Sequence, residues 1–367
     1  MRLYKTELFK LFYRKFFMVC LLCVLGILLL YFYFVNVGDE RTTVNGKLYT
    51  GYKAVQEDCK ITKEFRGVLT DDKAEQIIEK YGFPSKVEEY YGDFRDQNYL
   101  NGFITEYLGN GYFRDWDDYK VSTSLYTISQ TDLGRAAEAG ENEIILDYTK
   151  GWTVFFDILQ LGMILGSVLV LVGVSPVFSE EYQNNMSALL FTSEEGKSKD
   201  IIAKIAACFT MTTIIYIAIV VCVSVCIGSV YGFEGKDCII GTVLANSLNP
   251  ESPETMKTVL YFASLTLVLD YLALISLCAI TVCVSAHTKT LFHAVSVSCM
   301  IWLSPLLIRL MGSGAGYLLI TGTPLFMIMT VVLLDIYRIL IIPVMIAMCI
   351  LTLCTISSWR YQKKLPI

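Results

Sequence analysis

Two histidines in 367 residues, His287 and His293, leave nothing from which to build a metal cluster. Charge is scarce as well. Only 18% of residues are Asp, Glu, Lys or Arg against 54% hydrophobic, too apolar for a soluble chain of this length, so the bilayer is its solvent. The G-x-x-x-x-G-K-[ST] phosphate loop is missing, and no soluble segment could hold a nucleotide-binding domain, which excludes an ATPase within the chain. No nucleophile-base arrangement stands out in the soluble part, so no enzyme is expected there. Cysteine is not lacking, at twelve, but ten lie inside apolar runs and behave as small hydrophobes. Cys59 and Cys238 fall in external segments, and both a disulfide and two free thiols are open to them. The net charge of -5 gathers in acids such as Asp71, Asp72, Glu88, Glu89, Asp115 and Asp117, which speaks against nucleic acid as a partner.

A helix needs about 20 apolar residues to cross the hydrocarbon core, and residues 16–37 supply a first run without a charge. No small-x-small cleavage site follows it before Asp39 and Glu40, so it reads as a retained span. Further runs occupy 151–178, 205–231, 257–285, 291–311 and 339–359, six spans in all. Residues 1–15 interleave Arg2, Lys5, Lys10, Arg14 and Lys15 with Leu3, Leu8, Phe9, Leu11 and Phe12, the pattern of an amphipathic helix on the inner membrane surface. These bases, with Arg360, Lys363 and Lys364 in the tail 360–367, place both termini in the cytoplasm of a multi-pass protein of a bacterial plasma membrane. Residues 38–150 and 232–256 then lie outside and 179–204 inside. Residues 312–338, interrupted by Gly314, Gly316, Gly322 and Pro324, read as short external or re-entrant helices in which Asp335 and Arg338 can pair at i, i+3. A seventh and eighth crossing is the alternative.

The external segment 38–150 is long enough to build a small core. Thr70, Asp71 and Asp72 open a helix through Ala74, Ile77, Ile78 and Tyr81 that stops at Gly82. Residues 47–55, 66–70 and 121–128 read as strands. The expected architecture is therefore an all-α polytopic membrane protein of six transmembrane helices with a small α+β extracellular domain. Its many aromatics, among them Tyr90, Tyr91, Phe94, Tyr99, Phe103, Tyr107, Tyr112, Phe113 and Trp116, suit a core with its rim or a ligand-binding patch.

After the second span, Ser179 can cap a helix whose first turn holds Glu180 and Glu181. Tyr182, Met186, Leu189 and Leu190 follow at i, i+4, i+7 and i+8, one apolar stripe on a polar helix. An acidic first turn disfavours a purely membrane-surface role and favours a protein groove. In this motif, and in its basic N-terminal helix, six spans, external domain after the first span and short external helices before the last, the chain resembles the permease subunits of ABC-2 type ABC transporters over essentially its whole length. In that family the loop carries an acidic residue, a leucine pair, a polar turn and a basic residue leading into the third span. Glu180 or Glu181, Leu189, Leu190, Thr192, Ser193 and Lys204 look like those positions. A glycine common in the motif is replaced near Asn184 or Asn185, and Lys197 or Lys199 stands for the usual arginine. The resemblance implies a coupling helix docked in a separate ABC ATPase subunit, with ATP and Mg held by that partner and no cofactor in this chain. It also implies a second permease, as homodimer or heterodimer, surrounding membrane lipids, and an amphipathic, lipid-like or peptide substrate moved by export.

Asp270 is the one acid near the centre of a span, where a carboxylate is costly unless protonated or paired. A substrate or ion contact and a protonated carboxyl bonded to a neighbouring helix both fit it. The residues alone leave two further readings open: a receptor or sensor whose external domain binds a ligand, and an ion-coupled secondary transporter using Asp270, for which no inverted repeat is visible.

Overall fold

The computed structural model describes residues 2–84, 96–110, 124–140, 142–186, 199–243, 256–310, 320–329 and 340–364. Among them six helices are long and apolar enough to cross a membrane: Lys15–Val37, Lys150–Gln183, Lys199–Val230, Val259–His287, Leu291–Leu310 and Ile341–Lys364. The chain is a multi-pass membrane protein built from α-helix with a few short strands. In chain order the helices are α1 (Arg2–Phe12), α2 (Lys15–Tyr31), α3 (Tyr52–Phe65), α4 (Asp71–Tyr81), α5 (Tyr99–Leu108), α6 (Asp132–Ala139), α7 (Lys150–Val174), α8 (Pro176–Gln183), α9 (Lys199–Val230), α10 (Val259–His287), α11 (Leu291–Leu310), α12 (Pro324–Met327) and α13 (Ile341–Lys364). The chain divides into two compact units, one of Met1–Leu28, Ile158–Val223 and Leu265–Ile367, the other of Leu29–Asp157 and Ser224–Ser264.

In the second unit, strands β1 (Arg41–Val44) and β2 (Lys47–Thr50) form an antiparallel hairpin that pairs Arg41 with Thr50 and Val44 with Lys47. Asn45 and Gly46 close it, both at positive φ, the dipeptide a type I′ turn favours. Their N–H groups donate to the two carboxylate oxygens of Asp96 at 2.7 Å each. The strand expected over 47–55 is corrected here: it ends at Thr50, and Gly51 at φ 61° turns the chain into α3. The buried face of α3 is Ala54, Val55, Asp58, Ile61 and Thr62, a helical rather than an alternating period. Helix α4 has the ends its sequence prescribes, with Thr70 Oγ1 accepting from Lys73 N at 3.3 Å and Gly82 at φ 73° after Tyr81. The other strands are two residues each: β3 (Gly67–Val68) pairs antiparallel with β6 (Ile145–Leu146), and β4 (Gly109–Asn110) with β5 (Ser124–Leu125).

The core of this unit gathers Ile77, Leu100, Phe103, Ile104, Leu108 and Leu146, and Ile239 and Met256 join it. Ile239 and Met256, read from sequence as part of a separate loop over 232–256, thus share the core of the larger insertion. Tyr99 and Tyr107 pack against that core, while Tyr90, Tyr91, Phe94, Tyr112, Phe113 and Trp116 lie outside the described residues. Glu40 is buried where Lys150 pairs with it and Tyr231 donates its hydroxyl at 2.9 Å. Asp147, also buried, takes Arg66 at 3.0 Å and the Gly235 N–H at 3.0 Å. Cys59 and Cys238 are free thiols, each pushed up to about 12 by burial.

In the first unit, small residues allow helices to approach closely. A Cβ on Gly162 would stand 2.7 Å from Ile219 Cγ2, and one on Gly166 2.6 Å from Ile219 Cδ1, so the G-x-x-x-G face of α7 admits α9. Ser167, Ser175, Thr212 and Thr281 return their hydroxyls to the carbonyl four residues back, which satisfies them where water is absent. Of 312–338 only the stretch 320–329, with α12, is described, and Asp335 and Arg338 lie outside the described residues.

Candidate functional site

Proline has no N–H to give and suits the first turn of a helix, and α8 begins at Pro176, two residues beyond the end of α7 at Val174. The backbone donors of that first turn are met from α10. Phe178 N and Ser179 N donate to Ser285 Oγ at 3.1 and 3.2 Å, and Ser285 Oγ donates to Ser175 O at 2.6 Å. Ser179 is therefore not the expected cap. It lies inside α8, and its hydroxyl donates back to Ser175 O at 2.7 Å.

From Ser179 to Gln183 each residue reaches a different element. Ser179 meets α10 as described. Glu180 pairs with Arg14, the residue before α2. Glu181 Oε2 accepts from Lys204 Nζ of α9 at 2.6 Å, and the same ammonium donates to Asp200 Oδ2 at 2.6 Å. Lys204 is only 2% exposed, and its charge stands 5.7 Å over the ring of Phe178. Tyr182 donates its hydroxyl to Gln362 Oε1 of α13 at 2.8 Å, and Gln362 Nε2 donates to Ala286 O of α10 at 3.0 Å. Gln183 Oε1 accepts from Leu291 N at the start of α11 at 3.3 Å. Since α8 prolongs the second span, this one short helix is tied to all six spans at or beside their ends.

The helix stops at Gln183, with Asn184 capping it and Asn185 at φ 55°, a left-handed conformation that asparagine tolerates better than most residues. The continuous stripe from Tyr182 to Met186 is corrected by that turn. Met186 lies beyond the helix and is half-exposed, while Leu189, Leu190, Thr192, Ser193 and Lys197 lie outside the described residues. Met186 instead shares a groove of about 430 Å³ with Phe9, Tyr13 and Arg14 on one side and Val177 and Glu180 on the other. Phe9 and Tyr13 stack at 4.8 Å, and Tyr4 at the other end of α1 bonds to Thr210 of α9 at 2.8 Å.

Asp270 is 1% exposed, and its Oδ1 has no hydrogen-bond partner among the described residues. The tyrosine hydroxyls of this stretch are engaged elsewhere: Tyr271 with Thr213 at 3.0 Å, and Tyr216 with the carbonyl of Leu267 at 2.8 Å. Among the described residues no group of three or more His, Cys, Asp or Glu could hold a metal ion. Sequence reasoning reached Glu180, Glu181, Tyr182 and Lys204 but missed Ser285, Gln362, Asp200 and Arg14 as their counterparts. For Ser285 the available signal was polarity, since a serine at the end of an apolar run needs a bonding partner. Gln362 stands in the basic stretch Arg360 to Lys364 and carried no such signal. Comparison of the chain with protein-family models, with curated proteins and with solved structures finds no match.

Proposed function

We propose that this chain is the permease subunit of an ATP-driven exporter of the ABC-2 type, set in a bacterial plasma membrane with both termini in the cytoplasm. Its six spans form the substrate path, and energy arrives from a separate ATPase subunit docked on the segment after the second span. The observation that carries this reading is the α8 hub. Residues 184–198 join α8 to α9, and the contact of buried Lys204 with Glu181 and Asp200 links the two helices that flank that segment. A force applied there reaches every span through five consecutive side chains or backbone groups. The Ser285 and Lys204 bonds of this junction are buried, where a low dielectric strengthens them.

ATP and Mg belong to the partner in this reading, because the chain has no phosphate loop. A pair of ATPase subunits calls for two permease halves, as a homodimer or with a sister chain. Asp270 serves as a polar point on the path of an amphipathic, lipid-like or peptide substrate. The test is to purify the tagged protein in mild detergent, identify what accompanies it by mass spectrometry, and assay ATP hydrolysis with and without amphiphiles. The expected companion is a stoichiometric P-loop ATPase, lost when Leu189 and Leu190 are both replaced by Asp. A kinase in its place, or no companion at all, would end the transporter reading.

A further inference from the structure

The second unit contains a polar cavity of about 200 Å³ that the transport reading does not use. That is well above the ~10–15 Å³ that one water needs, so the space admits a small organic molecule. Asp58, Asn98, Gly102, Arg41 and Lys150 are among its lining residues.

Three features mark the space as a built site. Asn98 is 5% exposed and its Nδ2 donor has no partner among the described residues. Its orientation is fixed, because Asn98 Oδ1 accepts from Asn101 N at 3.1 Å while Asn101 Oδ1 accepts from Asn98 N at 2.9 Å. A buried donor left over from a completed capping box is costly unless something accepts from it. Asp58, buried on α3, is held by Thr42 Oγ1 at 2.7 Å and Tyr99 N at 3.1 Å, and no lysine or arginine among the described residues forms an ion pair with it. Gly102 lies inside α5, where glycine is the poorest choice after proline, yet a Cβ built on it would meet nothing within 4 Å. A larger side chain at 102 would strengthen the helix and fill the cavity.

The donor set names the ligand class. Arg41, exposed and without an ion-pair partner among the described residues, and the free Asn98 amide supply donors for a carboxylate, while Asp58 supplies an acceptor for an ammonium. Lys150 is already paired with Glu40, so it frames the cavity without adding a free charge. We infer that this cavity binds a small zwitterion, an α-amino acid of the size of glycine or serine, with its amine on Asp58 and its carboxylate on Asn98 and Arg41.

Isothermal titration calorimetry on the purified full-length protein, at a pH where Asp58 is ionised, tests this with glycine, L-serine, acetate and methylamine as probes. Glycine or serine should bind saturably. Acetate and methylamine should each bind at least about tenfold more weakly, a difference of about 1.4 kcal/mol. Gly102→Leu should abolish the binding while elution volume stays as in the parent protein and thermal unfolding is no lower. Asp58→Asn, which keeps the acceptor for Thr42 and Tyr99 but removes the charge, should weaken it at least about tenfold. Should Gly102→Leu not fold, the probe series on the parent protein and Asp58→Asn still decide. The inference is overturned by no saturable heat with either amino acid, by unchanged binding in folded Gly102→Leu, or by acetate binding as tightly as glycine.

Discussion

Lys204 neutralises two carboxylates at once, and its near-complete burial makes that arrangement sensitive to what remains after a substitution. Lys204→Met leaves Glu181 and Asp200 facing each other without a cation, and breaking a buried pair from one side costs about 3–5 kcal/mol. Glu181→Gln leaves Lys204 its second carboxylate and should cost about 1 kcal/mol. Glu180→Gln, at a contact half open to solvent on the glutamate side, should cost less than about 1 kcal/mol. Thermal unfolding in detergent should rank them in that order, and equal melting of Lys204→Met and Glu180→Gln would refute the hub's dependence on Lys204. Asp58 offers a second test, through pH. Burial raises its carboxyl from 3.8 to about 6, against the pull of its bonds from Thr42 and Tyr99. The folded state therefore holds this proton more tightly than the unfolded chain. Stability from the protonated group is complete below about pH 4 and is lost as pH rises through about 6, a change of about 3 kcal/mol at 1.36 kcal/mol per unit. Asp58→Asn removes that loss, so the substitution should look more favourable at neutral pH than at acid pH by about that amount. An unfolding difference that is the same at both pH values would show that Asp58 does not titrate this way.

Among the elements, α8 depends on a residue from another span. Ser285 Oγ serves two N–H groups and one carbonyl at the α7–α8 junction, so Ser285→Ala strips partners from buried backbone. The expected cost is about 1–3 kcal/mol in thermal unfolding, with Ser285→Thr retaining most of the stability because it keeps the hydroxyl. A Ser285→Ala protein that melts with the parent would mean the junction is satisfied otherwise. The same junction shows why this site was only partly legible. Glu180, Glu181 and Lys204 stood out as charges beside apolar runs, but Ser179 looked like a cap because Pro176, the stronger start signal, sat within the apolar stretch assigned to the second span. The stripe through Met186 followed helical spacing past Asn184 and Asn185, whose turn chemistry ends the helix. In the second unit α4 was readable because Thr70 and Gly82 mark both ends on a short segment. Helix α3 was not, because Asp58 and Thr62 occupy two of its buried positions and disguise the apolar period. The long spans were the most legible of all, since twenty apolar residues admit few alternatives to a membrane helix.

For the molecule as a whole, the proposed exporter reading gives the hub a test that separates two events a single loss of transport would confuse: holding the proposed ATPase and passing its motion to the spans. The residues proposed to hold the ATPase are Leu189 and Leu190, whereas Tyr182 and Gln362 tie α8 to α13 and α10 behind them. Replacing Tyr182 with Phe deletes one hydroxyl from a partly buried bond without changing the sequence of residues 187–198, and Gln362→Leu removes the bridge from the other side. Both proteins should therefore purify with the ATPase in parental amount and hydrolyse ATP at a basal rate. Their hydrolysis should lose its response to amphiphiles, because that response has to travel from the spans back through the junction. The double variant should be no worse than Gln362→Leu alone, since that substitution already removes the Tyr182 bond together with the one to Ala286 O. Co-purification and stimulated hydrolysis, measured on the same preparations, distinguish the cases. Loss of the ATPase from Tyr182→Phe would make α8 itself the docking surface, and full stimulation in Gln362→Leu would place the coupling route elsewhere.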